Sequence, residues 1–243
     1  MKRLIFLLYL LPISLMAQEY HNSAPFKAIE TKFKIDKRRV VWHLYSEQTF
    51  IGDTLHKLIV FPLEKKETTA YDAYIVRYNT QKQRIENYYI ADNFWQNNEK
   101  QRIQGIEISK RTPEVKPKTF AYELRTFYSN LNRAQPIGSE QLLWLEPKGK
   151  KLKPIFIANA LSYQGNITTG NNIPCKGETT EVRSIFTISA EKKCGYYIVQ
   201  EQRNTQQINI TTDDKGICTD KITDSKEDFL QWEYSRKNSQ YTH

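Results

Sequence analysis

Apolar and polar residues alternate along much of this chain with a period of two, the repeat of a strand with one face buried. Val40, Trp42 and Leu44 fall on one side of such a strand, and Val41, His43 and Tyr45 on the other. Leu58 to Phe61 is a short apolar run that Pro62 ends. Tyr74, Val76 and Tyr78 alternate with Ile75 and Arg77, and after a polar stretch the alternation resumes from Ile85 to Ile90, which predicts a hairpin. Ile103, Ile106 and Ile108 predict a further strand with a bulge at Gly105. Phe120 to Leu131 fits both periods; its strand-rich surroundings favour a strand. Leu142–Leu145 and Ile155–Ala158 predict the clearest hairpin, across a loop Pro147–Pro154 that holds Lys148, Lys150, Lys151 and Lys153. Ammonium groups at that density cannot be buried unpaired, so the loop is expected to protrude into solvent or onto an anionic partner. Asn166–Lys176 reads as a second loop, and Ser184–Ser189, Tyr196–Gln202 and Gln206–Thr211 as three consecutive short strands. Phe229, Leu230, Trp232 and Tyr234 form a last strand or helix.

The fold class that follows is mainly β, with antiparallel sheets in a sandwich or barrel-like arrangement and little helix. Thr112–Lys118 carries two prolines among charged residues and is the candidate linker. It would divide a β-rich part at 18–111 from another at 119–243, although a single domain fits the length equally well.

The first residues read differently. Lys2 and Arg3 precede an unbroken apolar run, Leu4–Leu11, which Pro12 breaks before Ala17 and Gln18. A basic start, a short apolar core and a small residue at the cut form a secretory signal peptide, here 1–17. The apolar core is far below the roughly 20 residues of a membrane span, and no later stretch reaches that length. No cysteine precedes Cys175, so a lipid attached at the cut is not expected. The mature chain is therefore expected in the periplasm or secreted.

Export bears on the cysteines and the charge. Three cysteines in an oxidising compartment imply one disulfide. With three short strands in a meander, Cys194 and Cys218 fall at the same end, and that pairing is expected, with Cys175 left over. The net charge is +9. A basic body attracts lipid headgroups, anionic glycolipids or nucleic acid, and export sets nucleic acid last among these.

Motifs of catalysis and cofactor binding are not evident. His43, Asp53 and His56 are close in sequence but lack zinc spacing, and Asp213–Gly216 reads as a turn and not a calcium loop. No G-x-S-x-G elbow or phosphate-cradling glycine loop is present. Glu47, Glu107, Glu123 and Asp228 are the carboxylates a hydrolase would have to bring together. The residues thus predict a non-catalytic binding protein of the cell envelope, such as an accessory subunit of an outer-membrane assembly, with an envelope protein or anionic glycolipid as partner. A lipid carrier with a barrel pocket and an exported hydrolase are the alternatives. N-terminal sequencing of the exported protein is expected to begin within a few residues of Gln18; an exported form that still begins at Met1 refutes the leader.

Overall fold

The computed structural model describes residues 22–243 apart from 67, 131, 171, 172 and 215, and at 169, 170, 173 and 174 it describes the backbone alone. The leader read at 1–17 lies outside the described residues. Strand predominates, and the chain divides into two compact units. One takes in the described residues up to Trp95 together with Pro147–Leu152; the other holds Gln96–Glu146 and Lys153–His243.

The first unit begins with helix α1 (Ala24–Phe33). Ser23 caps it by accepting a hydrogen bond from the Phe26 backbone N–H, a proline stands in its first turn, and Lys34 closes it in the left-handed region. Phe26 and Ile29 are fully buried. Four strands follow in spatial order: β1 (Ser46–Phe50), β2 (Asp53–Glu64), β3 (Ala70–Asn79) and β4 (Arg84–Gln96). Phe26 meets Phe61 of β2 at 5.7 Å between ring centroids, and Phe33 meets Tyr74 of β3 at 6.1 Å, so the helix lies on these strands through aromatic contacts. The β3–β4 hairpin matches the sequence expectation. The expected strand at Val40–Tyr45 does not form. Lys37–Arg39 and Trp42–Leu44 are 3₁₀ turns, joined to β2 by the Val40–Leu63 bridge and by the Arg39 guanidinium, which donates to the Glu64 carbonyl. Val40, Val41 and Leu44 are all buried, so this segment is not two-sided in the way the alternation implied.

The second unit is a meander with a small hairpin packed on it. Its strands are β5 (Arg102–Ile108), β6 (Glu114–Lys116), β7 (Thr119–Phe120), β8 (Tyr122–Ser129), β9 (Ile137–Lys148), β10 (Lys151–Gly170), β11 (Ile173–Lys193), β12 (Tyr196–Thr212), β13 (Cys218–Ser235) and β14 (Gln240–Thr242). They pair in the order β5-β8-β9-β10-β11-β12-β13-β14, and β6 pairs with β7 apart from the rest. The expected bulge at Gly105 is present as a register shift between Ile103 and Gly105. The candidate linker Thr112–Lys118 is not a boundary: it contains β6, and Val115 is fully buried in this unit's core with Ala121, Trp144, Ile155 and Phe156. Two prolines and several charges concealed one valine that the core requires. The β6–β7 hairpin and β14 cover part of the large sheet, which makes the arrangement sandwich-like.

β11, β12 and β13 contain 21, 17 and 18 residues, far longer than the strands read from sequence. The loop expected at Asn166–Lys176 lies mostly within β10 and β11, and the two segments Tyr196–Gln202 and Gln206–Thr211 are one strand. This overturns the expected disulfide. Cys194 sits in the tight turn at one end of β12, whereas Cys218 opposes Thr212 at the other end. At ~3.3 Å per residue those ends are roughly 50 Å apart. The bridge is Cys175–Cys218, with Cα atoms 5.6 Å apart, and Cys194 is free and exposed. Both paired cysteines flank Thr212, whose hydroxyl accepts from the Cys175 backbone N–H. Between β12 and β13 the Gly216 backbone N–H donates to the Asp213 carbonyl, a turn contact. Peptide mapping without reductant is expected to recover a Cys175–Cys218 crosslink with Cys194 open to alkylation, and Cys218→Ser to lower stability by about 2–4 kcal/mol. A recovered Cys194–Cys218 crosslink overturns this register.

Candidate functional site

The lysine-bearing segment is the starting point. Its loop is only Gly149-Lys150, with Gly149 at φ 58, where a side chain would be strained. The turn does not project freely. The Tyr88 backbone N–H donates to the Lys150 carbonyl at 3.3 Å, and Asn87 Nδ2 donates to the Gly149 carbonyl at 2.7 Å. Lys151 pairs in parallel with Tyr88 across β10 and β4. Docking leaves the cationic side chains outside: Lys148, Lys150 and Lys151 are exposed and Lys153 is half-buried. Lys148, Lys150 and Lys151 belong to the first unit, whereas Lys153 belongs to the second.

The docked turn forms one wall of a groove of about 620 Å³. Lys32, Arg77, Arg84 and Lys150 line it, with Glu86 as the one acidic residue. Lys32 comes from the last turn of α1, Arg77 from β3, and Arg84 and Glu86 from β4. Beside the groove, Lys151 Nζ stands 4.0 Å and Lys32 Nζ 4.7 Å from the centre of the Tyr88 ring. Hydrogen bonding from Lys151, with the added charges of Lys151, Lys32 and Lys150, draws the Tyr88 phenol below its ordinary pKa.

Arg77, Glu86 and Asn87 of the groove belong to a wider network of polar side chains. Arg77 Nη1 donates to Asn87 Oδ1 at 3.0 Å and to Glu86 Oε2 at 3.3 Å. Asn79 Nδ2 donates to Glu86 Oε1 at 3.1 Å. The ring nitrogens of His56 lie 2.6 Å from Asp53 Oδ1 and 2.9 Å from Glu86 Oε2. His56 and Asp53, which stood close in sequence, do meet; His43 is exposed elsewhere and joins neither. The partner that completes the group, Glu86, is 30 residues from His56 and could not have been picked out by spacing. Among the described residues no group of three or more His, Cys, Asp or Glu is placed to hold a metal ion. Burial by itself would raise the Glu86 pKa, but the His56 hydrogen bond and the charges of His56, Arg77 and Lys82 outweigh it and hold Glu86 below its ordinary value. One donor is left over: Arg77 Nε is buried and has no hydrogen-bond partner among the described residues. An unpaired buried donor is costly to the fold.

The carboxylates considered for hydrolysis have separate settings. Glu47 pairs with Lys57 in the first unit. In the second, Glu107 is exposed, Asp228 pairs with Lys226, and Glu123 is buried beneath Trp144 and Arg125. The described helix is too short and polar to cross a membrane. The chain matches no protein-family model, no curated protein and no solved structure.

Because Glu86 has a lowered pKa in the folded state, its network contributes stability that is complete above the ordinary glutamate range and is lost as pH falls through the folded value. Denaturation midpoints measured from pH 7 to pH 3 are expected to fall less steeply for Glu86→Gln than for the parent chain; parallel profiles refute the role of Glu86.

Proposed function

We propose that the chain is an exported, non-catalytic binding protein of the cell envelope, and that the groove of the first unit holds the phosphate of an anionic lipid or glycolipid headgroup. The observation that carries this reading is the convergence of Lys32, Arg77, Arg84 and Lys150 on one groove. Arginine offers paired N–H groups to phosphate oxygens, and exposed lysines add charge at little desolvation cost. The polar lining favours headgroup recognition over carriage of an acyl chain, which requires an apolar cavity.

Vesicles containing phosphatidylglycerol are expected to bind the protein and neutral phosphatidylcholine vesicles to leave it free, with binding weakened by salt. Each lysine near an anionic surface contributes about 1 kcal/mol, so Lys150→Ala with Lys151→Ala is expected to weaken binding roughly thirtyfold. The same double change at Lys221 and Lys226 of β13 serves as the control. Equal binding to both vesicle types, or equal loss in the control, overturns the reading.

A further inference from the structure

The second unit holds a cavity of about 490 Å³ that the groove of the first does not involve. Its walls follow from strand register. Ser162 of β10 opposes Val182 of β11, Ser184 opposes Arg203 of β12, and Val199 opposes Trp232 of β13. Alternation then places Ser162, Ser184, Glu201, Arg203 and Trp232 on one face of the sheet. Along that face the aromatic core around Phe156 gives way to polar side chains. Phe156 meets Phe186 at 5.2 Å and Trp232 at 5.1 Å, and Tyr241 of β14 covers it at 5.8 Å. Beyond Trp232 the polar side chains line the cavity.

The cavity is built on a fixed, buried carboxylate. Glu201 is 1% exposed and accepts from Ser184 Oγ at 2.7 Å, Arg203 Nε at 2.8 Å and Trp232 Nε1 at 2.8 Å. Burial would raise its pKa, but these three donors outweigh burial and hold it below the ordinary glutamate value. Glu201 therefore fixes the orientation of the indole and the guanidinium, and its charge is cancelled by Arg203. His243 lies against the indole at 4.4 Å and completes an aromatic wall. Other groups at the cavity are unspent. Among the described residues none hydrogen-bonds to the side chains of Gln141 or Ser162, and Arg203 commits its Nε while its terminal N–H groups stay free.

We propose that this cavity is a binding site for a neutral glycan. Gln141 and Ser162 can each donate and accept, as sugar hydroxyls do, and Arg203 supplies further donors. The formal charges cancel, which disfavours an anionic ligand. The aromatic wall offers an apolar surface to the C–H face of a pyranose ring, and the volume falls in the range of small-ligand sites. An extended peptide is a poorer fit, because the site lies over hydrogen-bonded inner strands and presents no free strand edge.

Isothermal titration of the full chain with maltotriose, cellotriose and triacetylchitotriose tests this, with trigalacturonic acid as the charged control. At least one neutral trisaccharide is expected to bind saturably, with Kd at or below about 1 mM. Ser162→Ala and Gln141→Ala lie outside the aromatic core; together they are expected to weaken binding at least tenfold while circular dichroism and the melting temperature stay unchanged. Trp232→Phe keeps the core filled and is expected to weaken it as well. Binding of the acidic trisaccharide alone, of none of the four, or with equal affinity in the Ser162/Gln141 double variant overturns the proposal.

Discussion

The continuous antiparallel ladder of β11, β12 and β13 is the constraint on which the second unit depends. Thr179 to Ile188 pairs without interruption against Ile208 to Val199, and Val199 to Gln207 pairs against Trp232 to Asp224. A slip of one residue would send every side chain to the opposite face. The same register brings Cys175 and Cys218 together beside Thr212 and gathers Ser184, Glu201, Arg203 and Trp232 on one face. The crosslink fastens the end of the ladder that has least apolar cover: Thr219, Lys221, Asp224 and most of their neighbours on β13 are exposed. There the hydrophobic effect contributes little, and the covalent tie supplies what a core does elsewhere.

Buried charge in this unit is handled in one way twice. Glu123 accepts from Arg125 Nε and Trp144 Nε1; Glu201 accepts from Arg203 Nε and Trp232 Nε1. In each case the arginine is two residues along the same strand, hence on the same face, and the tryptophan stands on the next strand. A buried carboxylate left alone would be costly; with a guanidinium and an indole N–H it becomes a rigid post. At Glu201 the post stands at the edge of a cavity, which turns a device of stability into one that positions a site. The first unit uses charge in the opposite way. Its cations exceed its acids at one groove.

Much of the architecture was legible in the chain because alternation reports directly on which side of a strand is buried. The β3–β4 hairpin, the Gly105 bulge, the β9–β10 hairpin and the choice of strand over helix at Tyr122–Ser129 all follow from it. It failed where burial was not one-sided. Val40 and Val41 enter the core from between two 3₁₀ turns and Leu44 from the second of them, and most of the described residues of β13's polar half are exposed. Thr, Ile and Asn at 204–212 favour extended backbone locally, yet only pairing with both neighbours makes them one strand.

The sequence by itself determined the β class, the leader-like first residues, the single disulfide and the cationic character of Lys148–Lys153. These are properties of composition and local period. Only the tertiary structure decided which cysteines pair, that the lysine turn docks beside Tyr88, and that Lys32, Arg77, Arg84 and Lys150 share a groove. The physical reason is distance along the chain. Strand length and register bring together residues that local pattern leaves independent, and no short-range signal records a meeting between Cys175 and Cys218, or between Glu86 and His56.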